Sequence, residues 1–147
     1  MSAAPNSSAL AGITLNNVAI SVANLERSVA WYELVLGFQC KRRGEFPALE
    51  AKVAFMSRPG VSLELVQVPS AYRIPAIDVD PPEHLGPTGY KAIVFDVDDL
   101  EAATAELRAH GVRIVWDQAL IDFEAGLLST LVRDPDGNLI NFFKRLP

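Results

Sequence analysis

The sequence predicts an α+β domain made of two βαβββ modules, and two observations carry that reading. First, the plan of residues 17–38, NVAISVANLERSVAWYELVLGF, recurs in residues 92–112, AIVFDVDDLEAATAELRAHGV. Each runs from an alternating apolar strand through an acidic or amide turn and Leu-Glu into a helix closed by Gly and an apolar residue. Leu25 and Leu100 stand 75 residues apart, and Gly37 and Gly111 stand 74 apart. A repeat near half the chain length marks two copies of one unit. Second, each helix is followed by short apolar runs bounded by turn residues, the pattern of small antiparallel strands.

Each element has its own signal. Val18, Ile20 and Val22 alternate with Asn17, Ala19 and Ser21, as in a strand with one buried face. Asn24 is placed to cap a helix, and Glu26 suits its positive end. Leu25, Val29, Tyr32 and Leu36 form one apolar stripe, and Gly37 supplies a left-handed stop. Strands are expected over 38–42, 51–57 and 61–68, with Gly44 and Pro47 breaking the first gap and Pro59-Gly60 turning the second. Residues 67–89 hold Pro69, Pro75, Pro81, Pro82 and Pro87, so this stretch is either a plain connection or a loop lying over a site.

The second copy keeps the order. A strand over 90–97 leads to a cap at Asp98 or Asp99 and a helix with Leu100, Ala103 and Leu107 inward. Gly111 ends it, and a strand over 112–116 follows. Strands over 127–133 and 139–144 flank the turn Asp134-Pro135-Asp136-Gly137-Asn138. The expected organisation is one domain over 1–147, with a first module at about 14–68, a linker at 69–89 and a second module at 90–145.

Composition narrows the function. The 147 residues are 50% apolar and 21% charged with net charge −5, a globular chain ill suited to nucleic acid or an anionic membrane. The run Lys41-Arg42-Arg43 reads as a solvated strand end. The single cysteine, Cys40, fits a reducing compartment and a half-buried, inert thiol. The opening MSAAPNSSALAG reads as a frayed tail and not a signal peptide, and no stretch reaches membrane-spanning length. A soluble cytoplasmic protein is expected.

Four motifs in order, NVAISVANLERSVAWYELVLGF, VSLELVQV, AIVFDVDDLEAA and VRDPDGNLINFF, resemble the vicinal oxygen chelate superfamily over residues 15–144. That group includes glyoxalase I, bleomycin-resistance proteins and extradiol dioxygenases. The resemblance implies two modules whose strands curl around a shared cleft, a small-molecule partner and a homodimer. Metal-dependent members place a ligand, typically His or Glu, on the first and last strand of each module. The matching positions here are Asn17, Glu64, Ala92 and Asn141. One carboxylate, two amides and a methyl group make a poor ligand set for zinc, nickel or iron, so no metal cofactor is expected.

Alternation sets Asn17, Ala19 and Ser21 beside Ser62, Glu64 and Val66, and Ala92, Val94 and Asp96 beside Leu139, Asn141 and Phe143. An apolar cleft with a few polar groups is the usual form of a small-molecule site. Glu64 is the expected general base, with a pKa raised by an apolar setting. Asn17, Ser21, Ser62, Tyr90, Ala92, Asp96, Asn141 and Phe143 are the expected substrate contacts. His84 is expected to be exposed, His110 to sit at a helix end, and Trp31 and Trp116 to pack; Asp134 and Asp136 are assigned to their turn. Two functions follow: a metal-independent isomerase, epimerase, cyclase or lyase acting next to a carbonyl, or a protein that sequesters a small molecule without turnover.

Overall fold

A computed structural model describes residues 8–147; the expected N-terminal tail lies partly outside the described residues. The first module contains β1 (Val18–Ser21), α1 (Leu25–Leu36), β2 (Gln39–Phe46), β3 (Ala51–Arg58) and β4 (Val61–Gln67). The second contains β5 (Ala92–Asp96), α2 (Leu100–Ala109), β6 (Ile114–Asp122), β7 (Leu127–Arg133) and β8 (Leu139–Arg145). Each module forms a four-stranded sheet, ordered β1-β4-β3-β2 and β5-β8-β7-β6. In both, the first strand runs parallel to the last, because the helix carries the chain back across the sheet, and the other pairs are antiparallel.

The caps work as their residue types dictate. Asn24 accepts from the Arg27 backbone N–H, and Asp99 accepts from that of Ala102. Gly37 closes α1 at φ +67°, and its N–H and that of Phe38 return to the carbonyls of Glu33 and Tyr32. Leu25, Val29, Tyr32 and Leu36 then pack against Ala54, Met56, Leu63 and Leu65, while Leu100 and Leu107 of α2 lie with Val132, Ile140 and Phe142 in the same continuous core. Leu63 and Leu65 are fully buried, so truncating either to Ala costs about 2–5 kcal/mol.

The structure departs from the sequence expectations at several places. Gly44 does not interrupt β2, because it pairs opposite Val53 and the ladder continues to Phe46 opposite Ala51. Strand β6 likewise runs on to Asp122, held by β7 through a ladder with three register shifts. In α2 the third inward residue is Thr104 and not Ala103. Its hydroxyl is satisfied by the Leu100 carbonyl at 2.6 Å and by the Thr130 hydroxyl at 2.7 Å, which makes the burial of a polar side chain affordable. The linker contains two short 3-10 turns, Pro75–Asp78 and Glu83–Leu85. His84 is half-buried there, and its Nδ1 is buried without a partner. Among the described residues no helix is long and apolar enough to cross a membrane.

The two modules are joined by polar contacts as well as by the core. Tyr32 of α1 donates its hydroxyl to Asp134 Oδ2 at 2.8 Å, although 102 residues separate them. Asp134, only 6% exposed, also accepts from the backbone N–H groups of Asp136 and Asn138 and from the Asn138 amide. Burial, and then the neighbouring Asp134 charge, push the Tyr32 hydroxyl far above its usual pKa, so it stays a donor. Asp136 reaches the other way, accepting from Ala23 N, Arg27 and Ser28. The turn expected to serve only the β7–β8 hairpin therefore also clasps α1.

Candidate functional site

A cleft of about 1010 Å³ opens between the free edges of β1 and β5, each of which has a single strand neighbour. Because it runs along a strand edge, residues from both faces of β1 and its flanks reach it: Val18, Ile20 and Val22 as well as Asn17, Ala19 and Ser21. Ile93 and Leu139 contribute from the second module, and Tyr32, Asp136 and Asn138 supply polar groups. The linker lies over this space, with Tyr72, Arg73, Ile74 and Ile77 in the wall. The choice between a plain connection and a covering loop is thereby answered in favour of the loop.

Two arginines hold that loop. Arg73 donates to the Asp136 carbonyl at 2.6 Å and pairs with Asp78. Arg133, 8% exposed, donates to the carbonyls of Ile77, Gly137 and Val79 and to Asp80. Neither arginine carries a sequence signal, because their acceptors, backbone carbonyls and the carboxylates of Asp78 and Asp80, are gathered only by the folded loop.

The expected site residues divide into two groups. Asn17, Ser21, Tyr90 and Ala92 line the cleft, although Tyr90 lies before β5 and is fully exposed. Ser62, Glu64, Asp96, Asn141 and Phe143 do not line it. They stand on the outward faces of the sheets, turned away from the helices, whereas the cleft runs along the strand edges. The registers match the sequence parity: Ala19 lies opposite Glu64, Ser21 opposite Val66, Val94 opposite Asn141 and Asp96 opposite Phe143.

Glu64 sits near the middle of the first sheet, between Ala19 on β1 and Phe55 on β3. Its neighbours Leu63 and Leu65 point into the core, so its carboxylate is directed outward. It is half-buried, and among the described residues no hydrogen bond or ion pair engages it. Asn141, the matching residue of the second sheet, accepts the Ser129 hydroxyl at 2.6 Å. Asn17 donates its amide to Asn16 at 2.8 Å. Among the described residues no group of three or more His, Cys, Asp or Glu side chains is arranged to hold a metal ion.

Residues 14–142 match the family model described as the Glyoxalase/Bleomycin resistance protein/Dioxygenase superfamily. The chain belongs to this superfamily. Lactoylglutathione lyase of Haemophilus influenzae is 29% identical over 126 residues, covering 85% of this chain and 87% of that protein. Human mitochondrial methylmalonyl-CoA epimerase is 28% identical over 107 residues, covering 73% of this chain and 59% of the epimerase. The crystal structure of a glyoxalase family protein from Enterococcus faecalis superposes with a TM-score of 0.75 at 23% identity, covering 89% of this chain and 97% of that one. The superfamily fold of two repeated modules is thus the fold seen here.

Proposed function

We propose that the protein is an enzyme of this superfamily that moves a proton next to a carbonyl, as an isomerase, epimerase, cyclase or lyase, with Glu64 as general base. The observation that carries this reading is the Glu64 carboxylate itself, outward on a rigid strand and free of any protein partner among the described residues. A half-buried carboxylate with no protein partner keeps its acceptor oxygens available to a ligand. The kinship with proteins named as a lyase and an epimerase supports an enzyme over a passive binder. In the step proposed, the proton on the carbon next to the carbonyl passes to a Glu64 oxygen, and the C–H electron pair moves into the carbonyl as an enolate. Asn17, two residues before the Ala19 that pairs with Glu64, is the amide assigned to that developing charge.

The donor set at the family's metal positions does not fit a divalent transition metal, since Ala92 offers no lone pair and the amides of Asn17 and Asn141 are weak ligands. We therefore assign the proton transfer to the chain's own residues. Turnover of a panel of carbonyl compounds, measured with and without chelator, tests both points. Glu64→Gln should lower turnover by roughly 10² to 10⁴ with little change in ligand affinity, and chelation should change nothing. Wild-type turnover by the Gln variant, or loss of activity on chelation, would remove this reading.

One observation favours sequestration without turnover as a second reading: the large cleft has mostly apolar walls and Glu64 is not among them. Tight binding of an aromatic compound with no turnover of any carbonyl compound would favour it. Either function suits a symmetric homodimer, because Ile13, Leu15, Tyr90 and Val94 are exposed in or beside the edge strands β1 and β5. Sedimentation at micromolar concentration should give twice the 16.0 kDa of one chain, and a monomer would refute the dimer.

A further inference from the structure

The basic run Lys41-Arg42-Arg43 separates into three different fates. Lys41 donates to Gln39 at 2.7 Å. Arg43 pairs opposite Ala54, on the helix side of the sheet, and grips Glu26 of α1 through two hydrogen bonds of 2.6 and 3.1 Å. Arg42 alone has no acceptor for its guanidinium among the described residues, and it is exposed. Its Cζ lies over the Phe55 ring, 4.3 Å from the centroid.

A register shift in β2 puts it there. Cys40 pairs with Met56, and the next pair is Arg42 with Phe55, so Lys41 is the extra residue of a β-bulge. Without the bulge, Lys41 would stand opposite Phe55 and Arg42 would turn toward the core side. The bulge thus selects the planar, forked cation for the outward face. One row then crosses all four strands on that face: Ala19, Glu64, Phe55, Arg42. Glu64 and Arg42 are two strands apart, about 10 Å at the backbone, with the Phe55 ring between them.

We infer that Arg42, set over the Phe55 ring, is an oxyanion-recognition residue that defines the substrate class as an organic anion. The inference rests on the reading of Glu64 as base. The ligand carries a carboxylate or phosphate at Arg42, and the carbon that loses its proton at Glu64 lies a few bonds away. A guanidinium suits this role because two parallel N–H groups match a carboxylate or phosphate edge, and stacking removes rotamer freedom before the ligand arrives. The intervening ring keeps the anion away from the Glu64 charge and gives the ligand an apolar surface to lie on.

The test is a titration of isotopically labelled protein with malonate, inorganic phosphate and uncharged malonamide, followed by NMR at the arginine side-chain N–H and at backbone amides. Malonate or phosphate should shift the Arg42 and Phe55 signals with millimolar affinity, and malonamide should not. The anion that binds more tightly assigns the head group as carboxylate or phosphate. Arg42→Gln should weaken binding at least tenfold, Phe55→Leu several-fold and Arg43→Gln less than twofold. Glu64→Gln should retain binding, which separates this inference from the assignment of the base. Anion binding unchanged in Arg42→Gln, or shifts confined to other arginines, overturns the inference even if Glu64→Gln abolishes turnover. Anion binding at Arg42 alongside turnover that ignores Glu64 keeps the anion site and removes the base.

Discussion

The two modules place different groups at matching points. In the first sheet the outward residue flanked by Leu63 and Leu65 is Glu64, with no partner among the described residues; in the second it is Asn141, tied to Ser129. The hairpin turns are just as unlike. Pro59-Gly60, between β3 and β4, is exposed, whereas the turn between β7 and β8 buries Asp134 and sends it, with Asp136, into the first module. The two copies of the repeat thus carry different groups at matching places. The first copy presents an unpaired carboxylate on a sheet face, and the second supplies the clasp that ties the modules together.

That division is tested first by its largest energetic effect. Asp134→Ala leaves the Tyr32 hydroxyl and two backbone N–H groups without their acceptor, so urea unfolding should lose on the order of 3–5 kcal/mol. Pro59→Ala, in the matching turn of the first module, should lose less than about 1 kcal/mol. Equal losses would mean that the turns are not specialised.

A smaller effect sharpens the same contrast. Tyr32→Phe removes one hydrogen bond to a buried carboxylate and should cost about 1.5–3 kcal/mol. Because the folded pKa of Tyr32 is raised above the unfolded value of 10.0, the unfolded chain releases this proton first on alkalinisation. Stability is therefore full below pH 10 and is lost as pH rises beyond it, at about 1.4 kcal/mol per pH unit. Unfolding between pH 9 and 11.5 should show that slope in the wild type, and the difference from Tyr32→Phe should vanish at the alkaline end. A difference that stays constant with pH would place Tyr32 in a different environment.

Much of this architecture was legible in the chain. Alternation alone set Ala19 beside Glu64 and Val94 beside Asn141, and the caps Asn24 and Asp99 follow from short-range chemistry. What escaped depended on distance. The Tyr32–Asp134 bond spans 102 residues, and a D-P-D-G-N sequence explains itself locally as a turn, so it carries no signal of a remote partner. The bulge at Lys41 escaped for a related reason: three consecutive basic residues look alike until strand pairing decides which face each one takes. Parity assigned faces correctly but could not say that the cleft opens along the strand edges, so Asn17, Ser21, Tyr90 and Ala92 line it while Ser62, Glu64, Asp96, Asn141 and Phe143 do not.

Solvent deuterium incorporation is the most direct measurement of the central claim, because it reports proton removal even when the final product is unknown. Carbonyl compounds bearing a carboxylate or phosphate are incubated with the protein in D2O, and exchange next to the carbonyl is followed by NMR. The account predicts exchange catalysed by the wild type, reduced by roughly 10² or more in Glu64→Gln and changed less than threefold in Asn141→Leu. Exchange that survives Glu64→Gln, or that falls equally in both variants, would contradict the assignment of Glu64 as the base.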